Sequence, residues 1–295
     1  TGGDSAIPSG TGPSETNTSS LSDGVGVFSG KFRSAATRVQ ITSSAAQGWI
    51  GGTTSYDGGG TDVVVSGIKG NINDSRYKSK SVNFIDCHDD LTVWDKIVGA
   101  YTTSGEGKAS KTVATNVNST SANYTGTLKL AGALALTSQG ISFFNAGTEF
   151  ARTKQGQANS YNSPDSFNML DWKRANTYKE VVDYYKGLRQ INEVYSAFND
   201  DGNTAASSMS FMSQTGTFIA YTINNSKSGE WGKVAVLLNS GGSAASANLS
   251  GSWTVVANNN KAGVTSLGSA SGSYSVPAHS AAILVESSSF KDMSD

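Results

Sequence analysis

The chain has 295 residues with 22 basic against 23 acidic, a formal net charge of −1, and only 15% charged residues, below the roughly 25% of an average soluble domain. So balanced a chain has no field to capture a polyanion, which speaks against nucleic-acid binding. The single cysteine, Cys87, excludes an internal disulfide and a multi-thiolate metal cluster, and the two histidines, His88 and His279, exclude His-built zinc sites such as H-E-x-x-H.

In chain order, residues 1–24 are polar, Gly/Ser/Thr-rich and aperiodic, and read as loop. The chain opens on Thr1-Gly2-Gly3-Asp4, without an initiator Met or a basic-then-apolar signal segment, so it reads as processed or as part of something longer. Val25–Phe28 is a short buried-type strand, and Lys31–Gln40 predicts a helix with Phe32, Ala35, Ala36 and Val39 on one face. Residues 43–62 read as a loop around Gly58-Gly59-Gly60. Ser81–Cys87 is a second strand, and Leu91–Tyr101 a helix, because Leu91, Trp94, Ile97 and Val98 share a face. A polar stretch at 112–127 precedes a helix over Leu128–Gln139 and a third strand over Ile141–Phe144. The longest apolar run, Leu130–Leu136, is interrupted by Gly132 and is too short to cross a bilayer. Residues 148–175 are long and polar, and Tyr178–Phe198 carries the apolar stripe of the best helix. Beyond Asn199-Asp200-Asp201-Gly202 come short β-type runs at Phe211, Thr217–Ile223, Lys233–Asn239, Trp253–Ala257, Ser273–Val276 and Ala281–Glu286. The fold class is therefore α/β to about residue 196, followed by an all-β sandwich or barrel. Three strands are too few to close a barrel of their own.

Phe84-Ile85-Asp86-Cys87-His88-Asp89-Asp90 runs a buried-type strand straight into a cluster of charge. In parallel α/β architectures, strand carboxyl ends are where sites are assembled. On spacing alone, Asp89 or Asp90 serves equally well as the N-cap of a helix beginning at Leu91. His88 and Asp89 do not make a Ser-His-Asp triad, since extended neighbours point to opposite faces and no G-x-S-x-G elbow supplies a nucleophile. Gly105-Glu106-Gly107-Lys108 fails as a phosphate loop, with Thr102 in place of the earlier glycine and Ala109 in place of Ser/Thr.

Val82–Lys96, V-N-F-I-D-C-H-D-D-L-T-V-W-D-K, resembles the fourth signature region of glycoside hydrolase family 13. Gln139–Lys154, with its R-T-K, and Asn159–Trp172, with N-S-Y-N-S-P-D, resemble the segment after the eighth strand of type I pullulanases, and Val25–Arg33 resembles their sixth strand. Thr1-Gly2-Gly3 is similar to the residues just after the G-E-P-W that carries their general acid. The resemblance implies that residues 1–196 are the C-terminal part (strands six to eight) of a catalytic (β/α)8 TIM barrel and that 197–295 form a β-sandwich domain. It implies retaining hydrolysis of α-1,6-glucosidic links in pullulan and branched starch, by a carboxylate nucleophile and an acid about 5–5.5 Å apart. Both of those groups would lie upstream of Thr1, so the chain by itself is expected to be inactive. Asp89 matches the third family carboxylate, which binds sugar hydroxyls beside the scissile bond. His88 matches the adjacent sugar-binding histidine, and Asp165 an aspartate that hydrogen-bonds glucose at a non-reducing-side subsite. Asp90, also at a substrate-binding position, stands where the family usually has Asn and adds a negative charge beside the cleft. Gly30 replaces the usual Asp of F-S-D. No organic cofactor is implied, and a structural calcium has no readable ligand set. The expected partner is an α-glucan such as pullulan, amylopectin or a limit dextrin, with no nucleic acid and no membrane. Low charge and abundant Ser, Thr and Asn point to secretion. The rival reading is a non-catalytic glucan-binding or structural protein derived from the same family.

Overall fold

The computed structural model describes residues 22, 25–38, 48–56, 59–71, 81–99, 116–199 and 208–294. Nearly all of the N-terminal polar stretch, the phosphate-loop-like segment, residues 112–115 and Val39 lie outside these.

Three short parallel strands form the first sheet: β1 (Val27–Phe28) and β5 flank the central β4, where β4 is Ser81–Phe84 and β5 is Ile141–Phe143. The helices α1 (Gly30–Thr37), α2 (Thr61–Ile68), α3 (Val93–Ile97) and α4 (Ala122–Thr137) surround it, with a small hairpin of β2 (Ser55–Tyr56) and β3 (Gly59–Gly60) leading into α2. The helix-side face is closed by polar ties as well as apolar packing. Buried Asn83 donates through Nδ2 to Gly67 O at 3.0 Å and Gln139 O at 2.7 Å, so the centre of β4 is fastened to α2 and to the exit of α4. The opposite face carries Phe28, Phe84, Ile141 and Phe143; Phe28 is in edge contact with both Phe84 and Phe143, yet Phe28, Ile141 and Phe143 stay exposed.

α4 is rich in Ala and Leu and is buried on nearly every face, as a helix enclosed by other layers must be. α7 (Lys179–Val194), reached through α5 (Asp165–Asn168) and α6 (Lys173–Thr177), lies along it and buries Val181, Tyr184, Tyr185, Leu188 and Ile191. No helix among the described residues is long and apolar enough to cross a membrane.

β6 (Met209–Thr215), β7 (Phe218–Asn224), β8 (Lys233–Asn239), β9 (Ala245–Ala257), β10 (Gly268–Val276) and β11 (Ser280–Glu286) pair as one antiparallel sheet in the order β10-β9-β11-β8-β7-β6. The period of two is explicit: Ala235 and Leu237 join one apolar cluster, while Val234, Val236 and Leu238 join the other. The register between β9 and β10 slips where Gly251 and Gly272, both at positive φ, take backbone angles closed to most other residues. Beyond this bend the sheet curls until β6 touches β9, and it encloses Ala220, Leu237, Leu249, Val276 and Leu284. Two layers thus arise from halves of one hydrogen-bonded sheet.

The other face of this sheet packs on α4 and α7 in a cluster continuous with the α/β part. Tyr221 donates to Thr137 O at 2.9 Å and Tyr195 donates to Ile223 O at 2.8 Å. A Cβ at Gly187 of α7 would meet Ala262 O at 1.9 Å, so the helix backbone itself lies against the β part.

Candidate functional site

Because β1, β4 and β5 are parallel, their carboxyl ends share one edge, and the charged segment 86–90 leaves β4 there. The strand exit at Asp86 is wholly buried. Its carboxylate accepts from Val93 N at 3.2 Å, Asn145 N at 3.1 Å and Thr148 Oγ1 at 3.0 Å, joining the exit of β4 to the start of α3 and to the segment after β5. Burial pushes the Asp86 carboxyl up, opposed by those amide donors and by the charge of Lys96. Four residues of the turn follow. Cys87 O accepts from Asn145 Nδ2 at 3.2 Å and His88 O accepts from Lys154 Nζ at 3.0 Å. Asp90 takes φ 60° and pairs with Arg33 Nη1 of α1 at 3.0 Å.

On this braced turn the His88 and Asp89 side chains stand out into solvent, 67% and 72% exposed, with Nε2 and Oδ1 3.4 Å apart. Neither Asp89 nor Asp90 caps the following helix, and that helix does not start at Leu91. α3 begins at Val93 with Thr92 as its N-cap, whose side-chain oxygen accepts from Asp95 N at 3.0 Å. The signal was in the sequence: Thr92-Val93-Trp94-Asp95 has the Ser/Thr-x-x-acid form of a helix start. The charge of Asp90 is likewise not free beside the cleft, since Arg33 neutralises it.

Asp95 does not complete a reciprocal cap. It is buried, bonds Thr153 Oγ1, and accepts from Lys154 N at 2.8 Å. Burial raises its carboxyl, opposed by those same bonds. The R-T-K string thereby acquires a physical role: Thr153 and Lys154 clamp Asp95, the Lys154 amine holds the His88 carbonyl, and Arg152 Nη2 donates to Asn168 O at 2.7 Å. Asn168 in turn binds Ser160, so the N-S-Y-N-S-P-D loop hangs from the same anchor. Asp165 opens α5 on that loop, exposed, with Tyr161, Met169 and Trp172 also exposed nearby in sequence. The structure therefore joins the segments 86–90 and 145–154 directly. The Asp165 loop is attached one step further out, and among the described residues no hydrogen bond or ion pair links Asp165 to His88, Asp89 or Asp90.

Sequence reasoning missed the underlayer of Asp86, Asp95, Lys96 and Arg33. Lys96 is buried, with Nζ 3.4 Å from Thr37 Oγ1, which itself donates to Ile85 O at 2.7 Å. Burial, aided by the Arg33 charge and against the pull of Asp86 and Asp90, holds the Lys96 amine down at about 8 from 10.5. The unfolded chain keeps that proton to about pH 10.5 and the folded chain only to about 8, so between them the unfolded state binds more protons and stability rises with pH. The cost, roughly 3 kcal/mol, is fully present below pH 8. The melting temperature should climb between about pH 8 and 9.5, below the ordinary range of tyrosine ionisation, and Lys96→Met should flatten that climb. Parallel curves for the two proteins would refute the assignment.

No protein-family model matches the chain. It is 32% identical over 184 residues to the pullulanase of Bacillus subtilis (strain 168), covering 59% of this chain and 22% of that protein. Its fold is similar to pullulanase from Bacillus acidopullulyticus, with TM-score 0.76 and 30% identity over 89% of this chain and 30% of that one. The pullulanase from Paenibacillus barengoltzii, solved in complex with maltohexaose and α-cyclodextrin, gives TM-score 0.72 and 28% identity, over 92% of this chain and 40% of that one. The chain is thus a homologue of type I pullulanases over most of its own length, and it spans less than half the length of each of these relatives.

Proposed function

We propose that this chain supplies the last three strands of a (β/α)8 barrel, within residues 1–196, and a following β-sandwich domain, residues 197–295, to a secreted debranching enzyme. The enzyme would be a retaining α-1,6-glucosidase acting on pullulan and branched starch. The observation that carries this reading is Asp89: a carboxylate with no capping duty, projecting from an immobilised turn at the carboxyl end of the central parallel strand. A group so placed can bind sugar hydroxyls beside the scissile bond, and its bonds strengthen as positive charge develops on the ring. His88 would share the same sugar, Arg33 would keep Asp90 and the turn in place, and Asp165 would meet a glucose further along the chain. The sheet face on which Phe28, Ile141 and Phe143 stay exposed is what the inner wall of the barrel would cover. Relatives solved with maltooligosaccharides support an α-glucan as the ligand.

Nucleophilic attack and leaving-group protonation would come from the segment preceding Thr1 in the complete enzyme. The chain beginning at Thr1, incubated with pullulan, should release no reducing ends above blank, and the same chain continuous with R-x-D and G-E-P-W segments should release them. Hydrolysis by the chain alone would overturn this assignment. An extended protein that binds maltohexaose without releasing reducing ends would establish the non-catalytic reading instead.

A further inference from the structure

Cys87, His88 and Asp89 present a thiol, an imidazole and a carboxylate whose donor atoms all lie within 4.8 Å of one another. His88 Nε2 and Asp89 Oδ1 are 3.4 Å apart, longer than an ordinary N–H···O bond of about 2.7–3.2 Å. That separation is instead close to the edge, about 3.3–3.5 Å, of a tetrahedron whose centre lies about 2.0–2.2 Å from nitrogen and oxygen ligands. The Cys87 sulfur, whose bond to such a centre is longer at about 2.3 Å, lies within 4.8 Å of both donors. The donors sit on a backbone already fixed by Asn145 Nδ2 at Cys87 O, Lys154 Nζ at His88 O and Arg33 at Asp90, so binding orders little more than three side chains.

The donor chemistry selects the cation. Calcium and magnesium call for six or more oxygens, whereas one thiolate, one imidazole and one carboxylate suit a zinc-class ion. Thiolate and carboxylate together cancel a divalent charge, and Asp90 is already paired with Arg33. Sites built of several cysteines or of histidines alone are excluded by the composition; a site with one of each is not. We propose that Cys87, His88 and Asp89 bind a zinc-class divalent cation with the fourth position open to water. A bound ion takes His88 and Asp89 away from the glucan, and this second statement rests on the function proposed above.

The test is a titration of the 295-residue chain with Co2+ under thiol-reducing conditions, followed by displacement with Zn2+. Expected is a near-ultraviolet thiolate-to-cobalt band that saturates at one ion per chain and is abolished by zinc. Cys87→Ser should remove the band and weaken zinc at least tenfold, His88→Ala should weaken zinc comparably, and His279→Ala should change neither. Absence of the band in the unmutated chain, or unchanged zinc affinity in Cys87→Ser, overturns the site. Should Cys87→Ser misfold, the exposed His88→Ala decides by the same criterion. In the extended enzyme, zinc should suppress pullulan hydrolysis, EDTA should restore it, and Cys87→Ser should resist the suppression. Hydrolysis undiminished at saturating zinc overturns the competition while leaving the function intact. No hydrolysis even in EDTA sinks the function and leaves the cation site to stand on the cobalt band.

Discussion

Asp89→Asn, made in the extended enzyme proposed above, is expected to lower kcat on the order of 10²-fold or more with little change in KM. The substitution keeps shape and one acceptor oxygen and removes only the charge, so the loss reports on the developing oxocarbenium ion rather than on ground-state binding. The structure sharpens the test, because the Asp89 side chain is exposed and Thr92 caps α3. Stability should therefore move by no more than about 0.5 kcal/mol, and a dead variant cannot be blamed on a lost helix cap. Asp90→Asn is the control. Asn tolerates the positive φ of Asp90 well, and an amide oxygen can still accept from Arg33, so kcat should stay within a few-fold. An inactive Asp90→Asn beside an active Asp89→Asn would mean that the wrong carboxylate of the pair has been chosen. Equal kcat for Asp89→Asn and the parent would leave Asp89 without a role in the chemistry.

The β part was the most legible, because one-sided burial writes a period of two into the chain, and Lys233–Asn239 is a strand over the very residues the pattern marks. The first half of β9 was not, since apart from Leu249 the segment Ala245–Gly251 is Ala, Ser, Asn and Gly with little strand preference, and it is held extended by pairing with β10. The helix over Thr61–Ile68 escaped for the converse reason. Its β-branched residues argue weakly for helix, and packing against α1 overrides that preference. The first turns of α4 looked like linker because Asn123, Thr125 and Gly126 are poor helix formers carried by the buried helix that follows. At the site, His88, Asp89 and Asp90 could be read as charge directly after a strand. The underlayer could not be read so directly. Asp95 and Lys154 are far apart in sequence, and only the fold reveals that one clamps the backbone of the other. Asp86 did leave a trace, as an ionisable residue ending an apolar run, where a buried charge must find donors.

Asp86→Asn sets two effects against each other. Burial pushes the carboxyl up, so on desolvation alone a neutral amide should be tolerated or even stabilising. The donor count says otherwise. Val93 N–H addresses Oδ2, Asn145 N–H addresses Oδ1, and the Thr148 hydroxyl lies within 3.0 Å of both oxygens. An asparagine must turn its NH2 toward one of the two backbone amides, leaving a donor facing a donor in the interior, at about 1–3 kcal/mol for the orphaned group. Lys96 loses its buried counter-charge as well. The sum is an expected destabilisation of roughly 2–4 kcal/mol, and Asp86→Ala, which orphans every donor, should reach about 3–5. Urea unfolding of the chain measures both, with Asp89→Asn as the variant whose midpoint should not move. The amide contacts that Asp86 holds also set the path of the turn beneath His88 and Asp89, so in the extended enzyme hydrolysis should fall further than lost stability alone explains. A protonated carboxyl would behave differently, since its own hydroxyl would already face one of those amides and asparagine would reproduce the arrangement without penalty. An Asp86→Asn chain as stable as the parent at neutral pH would therefore establish a neutral, proton-bearing Asp86, and the bracing of the turn by an ionised carboxylate would have to be abandoned.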